Sequence, residues 1–583
     1  MNGLQAFANN VLIHSGSVLG AIFRRDYFAK SRNGKRVSEK ALRKLLRVNQ
    51  NTEYGKRYGF SSINSVEDYQ KAVPLSTYDD YRDYIKRMVD KGEKNLITAR
   101  RISFYATTSG TVGETKLIPQ IASYFWPSFK LICIMANDLT TAMRMRGVPS
   151  ATARGLLTTE IHINALHEGK KRRFGDARVG GISSYGTDGM KLFLPLLTTL
   201  PKEAFEGGQI NDLRYIKARY ALQDPDVKWI GGIFMSALSD IISYIESNHE
   251  MLIRDIEKGV IDPSVDISEE ARGNLEKKLR PAPARAAELR EIFARSSDEG
   301  AFAKVWKKLS FVCSVGGGEF MPFTKKMRAV CGDDVHFAYA FYGASEALMG
   351  FAMHMEDPSY LLLLDGNFYE FLPVEDECES MPERPLLAHE LEVGKHYEII
   401  VTNCSGLYRY RIRDVVKITG FEGETPYMEF AYRANRATDL CGAHINDEFV
   451  AAATAAVEKE LGLRVEDYSL YADTDAEPPR IVMFMEPERP VDAEQRKRMQ
   501  EVFEAAMVQG GRGYRLAREA GNLAPCAVNT VAPGTYRAYR QMRVAAGASE
   551  NQLKSIRVIR PGKEYEFFLS GVDAGAGQVG GGR

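Results

Sequence analysis

Cysteine is scarce in this chain, and what there is follows no pattern that metal binding or cross-linking would need. Seven cysteines lie scattered between Cys133 and Cys526, with no pair at ligand spacing. An odd, sparse set predicts reduced thiols and a cytoplasmic protein rather than a disulfide framework, each thiol serving as a small buried apolar group. Excess charge is also lacking. Lys and Arg number 77 against 76 Asp and Glu, a net charge of +1, so no global footprint for nucleic acid or an anionic membrane is present, and neither is expected as a partner. Long apolar runs are few. Residues Phe7 to Phe23 come nearest, but Asn9, Asn10, His14 and Ser15 interrupt them and no small-residue cleavage site follows. The expectation is an amphipathic helix packed on the main domain, with no stretch able to span a bilayer. Internal repeats are absent as well. What remains is ordinary globular composition, 44% apolar and 26% charged over 583 residues, a length that calls for two or more domains.

Taken in order, residues 36–98 carry helical periodicity in short pieces, with Leu42, Leu45 and Leu46 on one stripe and Pro74 as a break. Residues 123–145 predict a buried helix. Residues 180–186 form a small-residue loop, and 226–236 predict a buried strand running into a glycine turn before a helix from Leu238. From 309 to 372 short apolar runs bounded by Gly, Pro or Asp predict strands, followed by 397–402 and 415–421. The last 140 or so residues alternate helix and strand, with Met499, Val502, Phe503, Ala506 and Met507 at helical spacing. The predicted fold class is α/β, a large N-terminal domain of mixed sheets with flanking helices and a β-rich part, plus a small C-terminal α+β domain. The boundaries are 1–432 for the large domain, 433–439 for a hinge, 440–573 for a small mobile domain and 574–583 for a disordered tail.

Three stretches carry chemistry. The first, Tyr105 to Pro119, holds consecutive hydroxyls, two glycines and Lys116 after a predicted strand. Such a loop lets backbone N–H groups approach phosphate oxygens, with hydroxyls and a lysine as further donors. It lacks the Gly-Lys-Ser/Thr ending of a Walker A loop, and alone it reads equally as a surface turn. The second, Phe341–Tyr342–Gly343–Ala344–Ser345–Glu346, follows a strand. Small residues there admit a ligand, and a carboxylate can hold Mg²⁺ against phosphates. The bland reading is a strand-end turn with an exposed Glu. The third runs from Gly406 to Val416, where Asp414 can accept both hydroxyls of a ribose. Its alternative is a surface network in which Arg409 and Arg411 pair with Asp414 and other carboxylates.

Together these segments have the order found in adenylate-forming enzymes, and the chain most closely resembles the GH3 family of acyl-acid amido synthetases, as a bacterial-type member. The resemblance runs through Thr108–Ser109–Gly110–Thr111, Lys116 and Ile118–Pro119, through Tyr54 to Phe60 and Val73–Pro74–Leu75 upstream, and through Asn367 to Pro373, Gly534–Thr535–Tyr536 and Asn551 to Lys554 downstream. It covers nearly the whole chain. Arg413 stands where the family usually has a glycine, His444 where its hinge has a lysine, and Thr107–Thr108 where a Ser pair is common.

The resemblance implies an enzyme that activates a small carboxylic acid with ATP and Mg²⁺ as an acyl-adenylate, then passes the acyl group to an amino acid or other amine. Nucleotide contacts fall to Thr107, Thr108, Ser109, Gly110, Thr111, Lys116, Phe341, Tyr342, Gly343, Asp414 and Arg433. Glu346 would hold Mg²⁺, and Lys554 would reach the α-phosphate and carboxylate oxygens. The acyl pocket would be lined by Val179, Ser183, Ser184, Tyr185, Phe234 and Met235, the last two equally readable as core. A monomer or homodimer is expected. The rival classes are an adenylate-forming acyl-CoA (thioester) ligase and a non-catalytic nucleotide-binding relative.

Overall fold

The computed structural model describes residues 3–107, 116–122, 125–159, 163–165, 178–205, 210–295, 301–317, 320–374, 384–433, 438–440, 443–445, 447–473, 476–519, 521–545, 555–559 and 562–572, some of them by backbone only. The chain divides into two compact units, one of residues 1–412 and 417–430, the other of residues 413–416 and 431–583.

The first unit opens with a helix over Gly3–Ser31, packed along the helix Phe125–Met145. Polar residues fix the seam. Asn9 donates to the carbonyls of Ala153 and Leu196 at 3.2 and 2.8 Å, Ser17 meets Thr140 at 2.7 Å, and Arg24 reaches Asn137 and Asp138 at 2.7 and 2.5 Å. Gly20 sets the separation, because a Cβ there would lie 2.0 Å from the Cys133 carbonyl oxygen. The sequence expectation about apolar length needs correcting. This helix is 29 residues long and, by length and composition, apolar enough to cross a membrane. Asn9, Asn10, His14 and Ser15 interrupt it without charge, and the charge-free run extends from Gly3 to Phe23.

Among the described residues, eight strands follow in the first 340 positions: β1 (Ile102–Thr107), β2 (Leu117–Ile121), β3 (Arg154–Leu157), β4 (Ile163–Ala165), β5 (Arg178–Gly180), β6 (Val227–Phe234), β7 (Phe311–Val315) and β8 (His336–Ala338). They make two four-stranded sheets, ordered β2-β1-β5-β4 and β3-β6-β7-β8. The second is wholly parallel. Its strands are mainly apolar because both faces are covered. On one side Ile230, Val312 and Phe337 pack with Leu238, Ile241 and Ile245 of the helix Met235–Lys258 and with Trp306. On the other, Phe311, Cys313 and Ala338 pack with Leu139, Ala142 and Met143.

The glycine turn expected near 231 is not a turn. Strand β6 runs straight through Gly231 and Gly232, and Gly232 makes room for Thr158, whose Oγ1 would lie 2.2 Å from an added Cβ. The small-residue loop expected at 180–186 is a short helix, Ile182–Asp188.

Eight further strands, β9 (Phe341–Gly343), β10 (Leu348–Ala352), β11 (Tyr360–Leu362), β12 (Phe368–Pro373), β13 (Leu386–Leu387), β14 (His396–Thr402), β15 (Tyr410–Glu422) and β16 (Thr425–Arg433), form one sheet in the order β13-β12-β14-β15-β16-β11-β10-β9.

The second unit centres on β19 (Val465–Asp473), β20 (Arg480–Pro487) and β21 (Ala527–Thr530), preceded by a small ladder of β17 (Thr438–Leu440) and β18 (Ala443–Ile445). Along β20, Ile481, Met483 and Met485 enter a core with Val450, Val457, Met499, Phe503 and Met507 of the helices Asp447–Leu461 and Ala493–Gly510. Val482 and Phe484 enter another with Tyr536, Tyr539 and Phe568. The unbroken apolar run is therefore a strand buried on both faces, which period-2 alternation requires. The expected hinge and tail lie mostly or wholly outside the described residues.

Gly20→Val should lower stability by about 1–3 kcal/mol, since the helix seam cannot accept a side chain without moving backbone. Urea denaturation would show this as a lower midpoint at an unchanged slope.

Candidate active site

The site is assembled from local sequence signals that each fix one backbone segment. Thr77 begins the helix Tyr78–Lys86 with a capping box, its partner being Asp80. That cap fixes where Tyr78 and Tyr81 project. The Tyr78 hydroxyl accepts the Leu117 N–H at 3.0 Å, and Lys116 Nζ lies 5.3 Å from the Tyr78 ring centroid. The exit of the first motif is thus held by a tyrosine and a cation–π contact. Tyr81 binds the third motif, accepting the Tyr408 N–H at 2.8 Å and donating to the Tyr408 carbonyl at 3.0 Å. Burial pushes its phenol up to about 12, so it remains a donor at neutral pH.

The first motif is a hairpin. Strands β1 and β2 pair antiparallel with Thr107 opposite Leu117, and Thr107 and Lys116 are half-buried at its mouth. Thr108, Ser109, Gly110 and Thr111 lie outside the described residues, as does Lys554.

The second motif meets this hairpin. Gln120 of β2 donates to the Ser345 carbonyl at 2.6 Å, and Asn403, after β14, donates to the Glu346 carbonyl at 2.7 Å. The Glu346 carboxylate is buried and sits 3.5 Å from the Tyr410 hydroxyl. An exposed Glu on a strand-end turn is therefore not what the structure shows. Phe341 and Tyr342 cannot both face one nucleotide, because adjacent strand residues point oppositely. Phe341 packs toward the clusters around Leu139 and Leu131, whereas Tyr342 lies beside Tyr360 and Phe430, with ring centroids 6.0 Å apart in each case. Gly343 is exposed.

The third motif turns on Gly406, at φ +105°, where a Cβ would lie 2.8 Å from the Ile97 carbonyl oxygen. Arg409 and Arg411 do form ion pairs, but not with Asp414. Arg409 is buried, at φ +48°, and its guanidinium binds Glu370 at 2.9 Å and the carbonyls of Gln70 and Val73 at 2.7 and 2.6 Å. Arg411 pairs with Glu398 at 2.5 Å. Asp414 is buried within β15. Immediately before it, Arg413 adopts φ +66°, a conformation glycine takes without steric cost. Arg433 ends β16 with its side chain undescribed.

The expected acyl pocket is split between two sheets. Val179 lies on β5 beside β1, opposite Tyr105. Ser183, Ser184 and Tyr185 follow on their short helix, where Tyr185 stacks on Phe104 at 4.5 Å and its hydroxyl meets Ser103 Oγ at 3.1 Å. Phe234, at the end of β6, stacks on Phe320 at 5.0 Å. Met235 is fully buried in the apolar core, which is the packing role weighed for it. Sequence reasoning missed Gln120, Asn403, Tyr78 and Tyr81, the last two lying in the stretch read only as helical periodicity. It also passed over Gly316–Gly317 at the carboxyl end of β7, where a Cβ on Gly317 would lie 3.6 Å from Pro358. Three consecutive glycines after an apolar run, Gly316 to Gly318, were the available signal.

The strands that flank the first motif thus lie beside the turn that carries the buried Glu346. The chain belongs to the GH3 family. Its N-terminal domain model matches residues 25–336, its central domain 360–433 and its C-terminal domain 447–563. The chain is 27% identical to the probable indole-3-acetic acid-amido synthetase GH3.1 of Oryza sativa subsp. japonica, over 92% of this chain and 89% of that protein. It is 25% identical to the jasmonoyl–L-amino acid synthetase GH3.5 of the same plant, over 91% and 93%. Plant relatives give no support to the bacterial type expected from the sequence. Among solved structures, the GH3.15 acyl acid amido synthetase superposes with a TM-score of 0.82 at 22% identity, covering 96% of this chain and 97% of that one. The α/β fold class read from the sequence is thereby shown.

Removing the counter-charge of Arg409 should be costly. Glu370→Gln keeps the shape but leaves a buried guanidinium without its carboxylate, a loss of about 3–5 kcal/mol in equilibrium unfolding.

Proposed function

We propose that this protein is an ATP-dependent acyl-acid amido synthetase that joins a small carboxylic acid to an amino acid or another amine. In the first half-reaction a carboxylate oxygen attacks the α-phosphorus of ATP and the bond to pyrophosphate breaks. In the second, the amine nitrogen attacks the acyl carbonyl, AMP leaves with the bonding pair, and the amine loses a proton. The observation that carries this reading is the convergence on the Ser345–Glu346 turn, whose two carbonyls are gripped by Gln120 from the first motif's strand and Asn403 from the third motif's approach. Its motif order and the names of its GH3 relatives support the same chemistry.

Mg²⁺ fits the residues present only in company with phosphates. Among the described residues no cluster of three or more His, Cys, Asp or Glu could hold a metal, and Glu346 offers a single buried carboxylate. One carboxylate plus substrate phosphates is the usual Mg²⁺ arrangement, and the ion would neutralise charge developing on the pyrophosphate. This chain's groups do the rest. Thr107 and Lys116 flank the phosphate hairpin, Tyr342 supplies an aromatic face, and Asp414 accepts ribose hydroxyls. An apolar acyl side is drawn from Tyr185 and Phe234. The sparse cysteines, buried at Cys133, Cys313, Cys331 and Cys526, support a cytoplasmic location.

Acid-dependent ATP–pyrophosphate exchange, screened over aryl and alkyl carboxylic acids, tests the first half-reaction, and product mass with amino acids or coenzyme A tests the second. No exchange with any acid would reject the reading. Asp414→Ala should weaken nucleotide binding at least about tenfold by isothermal titration, as two hydrogen bonds to a charged acceptor are lost. Glu346→Gln should shift the Mg²⁺ titration of exchange to higher concentration, while a titration matching the parent would remove Glu346 from the metal. Lys554→Ala should fold normally and lose exchange by about 10²-fold or more, with amide formation from supplied acyl-adenylate less affected.

A further inference from the structure

The N-terminal helix presents an outer face that the synthetase chemistry does not use. Leu4, Phe7, Val11, Ser15, Val18, Ile22, Arg25 and Ala29 recur at intervals of three and four, which places them within an arc of about 80° on one side of the helix. All are exposed, with Leu4 at 77%, Phe7 at 67%, Val18 at 62% and Ile22 at 55%. The opposite side, carrying Asn9, Ile13, Gly20 and Tyr27, is buried. The outer face cannot roll inward. Gly20 packs against the Cys133 carbonyl with no room for a side chain, and the bonds from Asn9, Ser17 and Arg24 lock the rotation.

The charge pattern along this face is one-sided. No charged residue occurs from Gly3 to Phe23, and the stripe then ends on exposed Arg25, with exposed Arg32 just beyond the helix. Asp26 on the flank is already paired with Lys30 at 2.7 Å. Beside the basic end, Trp126 is 54% exposed, stacked on Phe129 at 5.5 Å and edge-on to Phe23 at 6.2 Å. An apolar stripe with cations at one end and a half-exposed Trp nearby is the pattern of a helix lying in the plane of a lipid surface.

We infer that the N-terminal helix docks this protein on an anionic lipid bilayer, with Leu4, Phe7, Val11, Val18 and Ile22 entering the headgroup–acyl boundary and Arg25 and Arg32 meeting lipid phosphates. The helix lies on the bilayer and does not span it, because half its circumference stays packed on the helix Phe125–Met145. This departs from the absence of a membrane partner expected from net charge, which averages away a local stripe.

Flotation of the full chain with vesicles of phosphatidylcholine alone, or of phosphatidylcholine with phosphatidylserine, tests it. The parent should float with the anionic vesicles and less with neutral ones. Val11→Asp with Val18→Asp should cut the floated fraction at least about tenfold while leaving thermal unfolding unchanged, since both side chains face solvent. Arg25→Glu with Arg32→Glu should lower binding to anionic vesicles and spare the neutral ones. A parent that floats with neither vesicle, or an aspartate variant that floats as well as the parent, overturns the inference. So does a concentration-dependent dimer, seen by sedimentation, that the aspartate pair splits while no vesicle binds. That result gives the face to a second copy of the chain.

Discussion

The large unit depends on one buried cation. Arg409 lies immediately before β15, in a left-handed backbone conformation, with its guanidinium spread over Glu370 and two backbone carbonyls. A desolvated guanidinium is tolerable only when its donors are met. Meeting them brings together β12, the end of the helix Val66–Ala72 and the approach to β15. Its own N–H goes to Thr402, which Tyr69 also contacts, and its carbonyl accepts from Ser76. The third motif is therefore a consequence of buried charge as much as of strand pairing.

Around this anchor the unit divides its labour by chemistry. Parallel strands β3, β6, β7 and β8 are mainly apolar and closed in on both faces, and Gly316 and Gly317 follow the carboxyl end of β7. The strands β1 and β2 are held at the mouth of the first motif by Tyr78. Side-chain amides of Gln120 and Asn403, donating to the carbonyls of Ser345 and Glu346, tie one motif to the next.

Much of this was legible in the sequence, for identifiable reasons. Hydroxyls and glycines flanked by strand alternation disclosed the first motif, and helical spacing at Met499, Phe503 and Met507 disclosed the buried face of its helix. What stayed hidden was contact between distant segments. Nothing near Gln120 or Asn403 announces that each will grip the turn at Ser345–Glu346, more than 50 residues away in either case. Tyr78 and Tyr81 carry helical spacing whether they pack or hold a loop. Glycines misled twice, at 231–232 and at 180–186, because a glycine needed for close approach and one needed for a turn look alike in one sequence. The same ambiguity, run in reverse, explains Arg413. A left-handed position that glycine would fill is occupied by arginine, and sequence alone showed only the odd residue.

Tyr185 has a double attachment, stacked on Phe104 and bonded to Ser103, both on the strand that ends in Thr107. The side proposed for the acid and the loop proposed for phosphate therefore share a beam. Replacing Tyr185 to admit a bulkier acid would also release the neighbour that steadies the loop's entry strand. On the proposed assignments, a change at Tyr185 therefore bears on both the acid side and the phosphate side. Lineages that acquire new acids through this wall are expected to carry compensating changes at positions 103 and 104, whereas changes at Phe234, on the other sheet, leave that strand untouched.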